Sequence, residues 1–198
     1  MSEKIGTATA GHVDVTSYLK SLKWNGKHNI SALARQTAFS GSTQADRVLY
    51  SFLASAVARA LEPGCAVNHA LVLVGVHGVG KTWLLSELGG KWHRVMHGGQ
   101  PDPSVWIQER QLADASDVAS TYATHDVYRD AYEKCAVSRP RAYVTAFTCN
   151  DYSVLRRASQ RRLHVLELHE RVALDSDIRD QLWAEAYARY LRSLTPRP

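Results

Sequence analysis

The chain has 198 residues, of which 45% are hydrophobic, with a net charge of +5 and an isoelectric point near 9.2. This length allows one main domain with a small appendage. The sequence shows no signal peptide, and no apolar run approaches the roughly 20 residues that cross a bilayer. We therefore predict a cytoplasmic protein with no membrane partner. The basic charge favours a polyanionic partner such as nucleic acid, although the same charge can simply keep a small protein soluble.

The first third of the chain predicts three helices. Residues 14–22 and 30–35 place apolar side chains at helical spacing. The longest helix is predicted from Ala45 to Leu61, with Thr43 as a possible cap and Pro63 in the stop that follows. These elements would form a small helical region that leads into the main domain.

Residues 75–82, GVHGVGKT, match the phosphate-loop pattern G-x-x-x-x-G-K-[ST] at every fixed position. An apolar run over 69–74 predicts a buried strand before the loop, and residues 82–88 predict a helix that Gly89 and Gly90 end. Glycines let the backbone wrap a phosphate, and amide groups at the helix N-terminus face its negative charge. We therefore predict a bound nucleoside triphosphate, with ATP as the default, held by Gly75, Val76, His77, Gly78, Val79, Gly80, Lys81, Thr82 and Trp83.

Two residues of the loop and one acid predict hydrolysis of that nucleotide. Lys81 would reach the β and γ phosphates, and the Thr82 hydroxyl would be a ligand of the Mg²⁺ that bridges them. Hydrolysis also needs an acid that holds or activates the attacking water. Glu109, just beyond a strand predicted over 104–107, is the candidate. Because Gln108 stands where an aspartate is often found, we expect Glu109 to hold Mg²⁺ through water.

Downstream of the loop, strand and helix patterns alternate. Residues 91–103 are a polar, glycine-rich stretch, and a helical region follows the next strand near 113–123. Residues 126–141 fit either a helix or a hairpin, and both remain open. Strands are predicted over 142–149 and 162–168.

A long helix over 176–194 completes the pattern. Strands that alternate with helices around a phosphate loop predict an α/β three-layer sandwich of the P-loop NTPase type, with the nucleotide at the carboxyl ends of the strands. We place the N-terminal helical region at residues 1–66 and the ATPase core at residues 67–198.

Polar residues near the ends of the last two strands add to the predicted site. Asn150 suits a sensor that orients water or contacts the γ phosphate, because an amide donates and accepts without adding charge. Asp151 competes with Glu109 for the acidic role. Arg161 and Arg162 could stabilise charge on the transferred phosphoryl group, and in ring-shaped ATPases such an arginine often comes from the next subunit.

The cysteines and histidines predict neither a disulfide framework nor a zinc centre. Cys65, Cys135 and Cys149 are too few and too scattered, and we expect reduced thiols. His93 and His97 have the i, i+4 spacing of metal ligands on a helix, but no acidic or thiol ligand lies close to them in the sequence. The predicted metal is therefore the Mg²⁺ of the phosphate loop.

Several stretches occur in an order that resembles the virulence-associated protein E family. These are phage and mobile-element proteins whose motor domain is similar to superfamily 3 and AAA+ helicases. The resemblance covers residues 13–191. It rests on LKWNGKHNI, AVARALEPG, WIQE, DVYRDAYEK, RPRAYVTAFTCND, SQRRLHVLEL and QLWAEAYARY.

The resemblance implies a role for each candidate residue. It makes Lys81 and Thr82 the Walker A pair, Glu109 the Walker B acid, Asn150 the sensor, and Arg161 or Arg162 the arginine finger. It also implies a hairpin before the sensor strand that grips single-stranded DNA in a central pore. Residues 126–141 stand at that position and mix cations with tyrosines, a combination that suits single strands. The candidate DNA contacts are Arg129, Lys134, Arg139 and Arg141.

The sequence thus predicts an ATP- and Mg²⁺-dependent DNA helicase or translocase in phage or mobile-element replication. We expect a homo-oligomeric ring, a hexamer by the resemblance, on single-stranded or forked DNA in the bacterial cytoplasm. A separate primase or polymerase would be its partner, since 198 residues leave no room for a primase domain. The alternative is an ATP-regulated loader or adaptor that does not unwind DNA. A small-molecule kinase would need an acceptor pocket and a lid, which the sequence does not indicate.

Overall fold

The fold is given by a computed structural model that describes residues 10–37, 43–97, 104–112, 120–128, 135–153, 155 and 162–194. In these ranges the α-helices are α1 (Ala10–Ser21), α2 (Asn29–Thr37), α3 (Thr43–Leu61), α4 (Lys81–Gly89) and α5 (Ser176–Leu194). The strands are β1 (Ala70–Val74), β2 (His93–Val95), β3 (Ile107–Gln111), β4 (His125–Tyr128), β5 (Val137–Pro140), β6 (Val144–Cys149) and β7 (Leu163–Glu167).

Five strands form one parallel sheet in the order β2-β3-β6-β1-β7. All five residues of β1 are buried, as expected for a central parallel strand that is covered on both faces. Val74 at the end of β1 lies opposite Cys149 of β6 and Glu167 of β7, so the carboxyl ends of the three strands meet at one edge. The prediction of an α/β fold with a parallel central sheet is confirmed.

The N-terminal helices and the last helix share a hydrophobic core with one face of the sheet. Trp106 and Trp183 form its centre, with ring centroids 4.1 Å apart and almost no exposure. Each indole also finds an acceptor: Trp106 Nε1 donates to Ala56 O of α3 at 2.8 Å, and Trp183 Nε1 donates to Leu88 O of α4 at 2.9 Å. These bonds satisfy the polar N–H group of each indole, while the large apolar area of each ring is buried in the core. The boundary after residue 66 stays a prediction.

One strand was missed by the sequence prediction and another was placed too early, and both lie at the same edge of the sheet. Residues 93–95 form strand β2 inside the polar, glycine-rich stretch, where no strand was predicted. The sequence shows no apolar pattern there because β2 is a short edge strand with one buried residue, His93. Strand β3 begins at Ile107, where the predicted strand over 104–107 ends. The sequence pattern favours apolar strands, whereas β3 buries Gln108 and Glu109.

The helical region predicted near residues 113–123 lies mostly outside the described residues. Its last part, Ser120–Tyr122, forms a single 3₁₀ turn. No helix within the described ranges is long and apolar enough to cross a bilayer.

Residues 126–141 contain a hairpin, which decides between the two alternatives. Strands β4 and β5 pair antiparallel, and residues 129–134 lie outside the described part of the chain. At the base, the Arg141 guanidinium donates to Asp126 Oδ1, and the Tyr143 hydroxyl donates to the same oxygen at 3.2 Å. Arg59 of α3 donates to Arg141 O at 3.1 Å and so joins the hairpin to the helical region.

Helix α5 holds helix α2 through the buried carboxylate of Glu185. Glu185 Oε2 accepts the Ile30 amide at 2.9 Å, and Oε1 accepts Arg189 Nη1 at 3.3 Å. The first amides of a helix have no acceptor within that helix, and a carboxylate is favourable at this positive end. Glu185 therefore caps α2 from a distant part of the sequence.

Replacing Glu185 with alanine is expected to lower the free energy of unfolding by about 2–4 kcal/mol, because the Ile30 amide and Arg189 lose a buried partner. Urea denaturation followed by circular dichroism measures this loss. The matched control is Glu62→Ala on an exposed side chain, with an expected change within about 0.5 kcal/mol. An equal loss in both variants would remove Glu185 as the cap of α2.

Candidate active site at the carboxyl edge of the sheet

The loop over residues 75–82 connects the end of β1 to the start of α4. Gly80 adopts φ +98°, a left-handed conformation that favours glycine, and a Cβ there would lie 3.3 Å from Arg171 Cγ. A Cβ on Gly75 would lie 2.5 Å from Leu168 O. Two fixed glycines of the pattern are thus required by the turn and by the chain packed beside it. The first turn of α4 leaves amide groups without intrahelical acceptors beside this loop.

Lys81 is buried beneath the loop and bonded to its carbonyl groups. Its Nζ donates to Gly75 O at 2.6 Å, to Val76 O at 3.0 Å and to Asn150 Oδ1 at 3.1 Å. Burial lowers the pKa of this amine, and the nearby Cys149 and Glu109 oppose that shift. The structure therefore brings the predicted sensor Asn150, just past β6, into direct contact with the loop lysine.

Glu109 lies opposite the loop and accepts hydrogen bonds from three elements. Its side chain is 2% exposed. Oε1 accepts the Thr82 hydroxyl at 2.6 Å and the Thr148 hydroxyl at 3.4 Å, while Oε2 is 3.0 Å from His93 Nε2. We expected Glu109 just beyond its strand, whereas it is the third residue of β3 and is therefore fixed by the sheet.

Sequence reasoning missed the role of His93 and Thr148. We considered His93 as a metal ligand paired with His97, but in the structure it lies in β2 and contacts Glu109 across the parallel pair β2-β3. Thr148 reaches the same carboxylate from β6. The sequence does not show which strands are neighbours. The contact between His93 and Glu109 could therefore be found only once the strand order was known.

A cleft of about 490 Å³ opens between these groups. The loop residues His77 and Gly78 are exposed along it, whereas Val79 packs into the core. Thr82 and Glu109 place two oxygen atoms 2.6 Å apart at its floor, and oxygen ligands are those that Mg²⁺ prefers. The residues present therefore fit a magnesium site. The cleft is lined by His77, Gly78, Gly80, Lys81, Thr82, Trp83, Val95, His97, Glu109, Gln111, Thr148, Cys149 and Asn150.

The competing acid Asp151 and the residue Gln108 before Glu109 both have local partners. Asp151 is exposed, and its carboxylate accepts the Ser153 amide at 2.6 Å; hydrogen bonds from Ser153 lower its pKa. Gln108 is buried, and its amide satisfies both neighbours when its oxygen faces Arg110 and its nitrogen faces the Tyr143 hydroxyl. In the described part of the chain, no three histidine, cysteine or acidic side chains cluster as a metal site would require.

Of the two candidate finger residues, Arg162 lies away from the loop of its own chain. Arg162 precedes the first residue of β7, and Leu163 pairs with Ala70 at the start of β1. Four residues of strand, about 13 Å, separate that edge from the phosphate loop. The Arg162 guanidinium lies 4.8 Å from the Tyr122 ring. Arg161 lies outside the described residues.

Of the candidate DNA contacts, Arg139 and Arg141 lie within the described residues. Arg139 of β5 is half-buried on the hairpin, and Arg141 is 8% exposed in its pair with Asp126. That burial speaks against direct contact between Arg141 and DNA, because its guanidinium already serves the base of the hairpin. Arg129 and Lys134 fall outside the described residues.

Comparisons with known proteins agree with the resemblance in the sequence. A family model described as the virulence-associated protein E-like domain matches residues 19–104 and 107–196. No curated protein matches the chain. The A-form apo structure of the NrS-1 C-terminal region is similar in fold, with a TM-score of 0.54 and 16% identity over 90% of this chain and 48% of that one. This chain spans about half the length of that structure. The match over nearly all of its residues shows that the chain belongs to the virulence-associated protein E-like domain family.

Proposed function

We propose that this chain is a P-loop ATPase that uses ATP and Mg²⁺ to move along DNA as a ring in phage or mobile-element replication. One observation carries the proposal: the Thr82 hydroxyl of the loop meets the Glu109 carboxylate of β3 at 2.6 Å, beside the Lys81–Asn150 contact of 3.1 Å. Loop, acid and amide thus come from three elements to one cleft. Such a constellation suits phosphoryl transfer to water.

Each side chain has a separate task in this proposal. Lys81 exchanges its carbonyl partners for the β and γ phosphates. Glu109 orients the attacking water and accepts its proton, while Asn150 donates to the γ phosphate or to that water. Bound Mg²⁺ would be held by Thr82 and, through water, by Glu109, and it would neutralise charge on the phosphates. His93 and Thr148 hold the Glu109 carboxylate in place.

The position of Arg162 supports the ring. Arg162 precedes Leu163 at the opposite edge of the sheet, and about 13 Å of strand separates that edge from the loop of its own chain. We place the transferred phosphoryl group that this arginine would contact on another copy of the chain. A homo-oligomer with ATP between subunits, such as a hexamer, satisfies this geometry, with the hairpin over residues 125–140 directed at a central strand of DNA.

The alternative of an ATP-regulated loader or adaptor remains supported by Gln108. Its buried amide lies between Arg110 and Tyr143 and supplies no carboxylate for Mg²⁺. A loader would bind ATP and DNA, and it would engage a separate primase or polymerase, without separating DNA strands.

Three measurements on the purified chain test the motor against the loader. We expect ATP hydrolysis that single-stranded DNA stimulates, a mass by light scattering that rises to a closed oligomer with ATP, and strand displacement on forked DNA. Hydrolysis without strand displacement would favour the loader. A chain that binds neither ATP nor its non-hydrolysable analogues would contradict both.

A further inference from the structure

A cation and an indole form a pair on the flank of the phosphate loop. The guanidinium carbon of Arg171 lies 4.3 Å from the centroid of the Trp83 ring. Trp83 is half-buried in the first turn of α4, and Arg171 is exposed in the segment after β7. Consecutive helical residues point about 100° apart, so Trp83 leaves the helix in a different direction from Thr82, which faces Glu109.

The segment that carries Arg171 is fixed against the loop. The Leu168 amide donates to Val74 O at 2.8 Å, at the point where β1 enters the loop. A Cβ on Gly75 would clash with Leu168 O, and a Cβ on Gly80 would touch the Arg171 side chain. The Arg171 stem therefore packs on the phosphate-loop backbone, and its guanidinium has a defined position beside the cleft.

Within the described ranges, no carboxylate forms an ion pair with Arg171. Other arginines of the fold do have such partners: Arg141 pairs with Asp126, Arg179 with Asp180, and Arg189 with Glu185. A guanidinium whose inner face rests on an indole still presents its outer face to solvent. Planar guanidinium groups stack on aromatic rings, including the bases of nucleotides.

The direction in which a nucleotide must lie follows from the other groups of the cleft. The loop amides, Lys81 and Thr82 form the phosphate end. The flank towards β3 holds the Glu109 carboxylate together with His93 and Thr148, and that flank serves metal and water. The nucleoside end therefore leaves the loop on the flank of Trp83 and Arg171.

We propose that the outer face of the Arg171 guanidinium, held on Trp83, is the platform on which the base of the bound nucleotide stacks. The inference rests on the proposed function, since it assumes that the loop binds a nucleoside triphosphate. A stacking platform contacts the face of a base and not its hydrogen-bonding edge. Adenine and guanine nucleotides are therefore expected to bind with similar affinity. Arg171 is thus a base-binding residue that the loop pattern does not include.

Titration calorimetry of the full chain with Mg²⁺ tests the platform, using a non-hydrolysable ATP analogue, the matching GTP analogue and inorganic tripolyphosphate. We expect the two analogues to differ by less than about threefold in Kd, and Arg171→Ala to weaken both about tenfold. Tripolyphosphate has no base, so its Kd stays unchanged in that variant. Arg171→Lys keeps the charge but not the plane, and we expect it to remain several-fold weaker than the parent chain.

The matched control is Arg192→Ala. Arg192 also lies over an indole, 5.2 Å from the Trp24 ring, on an exposed part of α5 away from the cleft. Its removal changes the net charge equally and is expected to leave all three affinities unchanged. Circular dichroism confirms that each variant is folded.

The outcomes separate this inference from the proposed function. Equal binding of the analogues by the parent chain and Arg171→Ala overturns the platform and leaves the nucleotide site intact. An equal loss for tripolyphosphate also overturns it, because Arg171 would then contact phosphate. If the parent chain binds none of the three ligands, the proposed function itself fails.

Discussion

Lys81→Ala is expected to abolish DNA-stimulated ATP hydrolysis, with a fall of at least about 100-fold in turnover. The Lys81 ammonium has three acceptors in the structure, and two of them are carbonyl groups of the loop itself. These bonds hold the positive charge at the place where the β and γ phosphates would lie. Alanine removes the charge and leaves the phosphates to the backbone amides alone.

The measurement is phosphate release with saturating single-stranded DNA, together with the affinity for an ATP analogue. Lys20→Ala is the matched control, because Lys20 is exposed on α1 and its loss changes the net charge equally. We expect the control to retain the parent rate. Robust hydrolysis by Lys81→Ala would refute the assignment of residues 75–82 as the nucleotide site.

Glu109→Gln should separate nucleotide binding from nucleotide hydrolysis. The amide keeps an oxygen that can accept the Thr82 hydroxyl, so affinity for the analogue is expected to change by less than about threefold. It cannot take a proton from water, and removing a general base costs about 100- to 10,000-fold in rate. Single-turnover hydrolysis measures the chemical step without product release.

Two further variants make the result specific. Glu62→Gln changes an exposed carboxylate to the same amide and should hydrolyse ATP at the parent rate. His93→Ala removes a contact of Glu109 but leaves the carboxylate, so we expect a smaller loss than in Glu109→Gln. Parent-like turnover in Glu109→Gln would show that another group, such as Asp151, activates the water.

The position of Glu109 inside β3 explains why this acid can be both buried and available. Residues 107–111 pair with β6 on one side, and residues 107–109 pair with β2 on the other. Their backbone amides and carbonyl groups are therefore satisfied by the sheet. The carboxylate projects into a cleft where hydroxyl and imidazole groups compensate its burial. A site built on strands keeps such distances more exactly fixed than a site on loops.

The predicted loop and the observed loop agree because the pattern is local. Strand, glycine turn and helix follow one another in sequence, and each has its own periodicity or backbone requirement. The strand over 142–149 and the long helix over 176–194 were found for the same reason, since buried strands and amphipathic helices leave regular apolar patterns. The family could also be identified, since its motifs keep their order along the chain.

The contacts around Glu109 could not be predicted in that way. His93, Thr82, Glu109 and Thr148 meet because the strand order β2-β3-β6-β1-β7 places β3 and β6 between β2 and β1. Arg141 illustrates the opposite case, since its basic neighbourhood suggests DNA binding, whereas packing directs it to Asp126. The local sequence around a side chain does not identify its contact partner when that partner lies on a distant strand.

By itself, the sequence determined the glycine turn between a strand and a helix, the α/β class and the family, since each depends on residues that are close together in the chain. Only the tertiary structure decided that His93 holds Glu109, that Lys81 rests on Asn150, and that Arg171 packs on Trp83 beside the loop. Those pairs are separated by 16 to 88 residues, and they form only after hydrophobic burial has set the order of the strands.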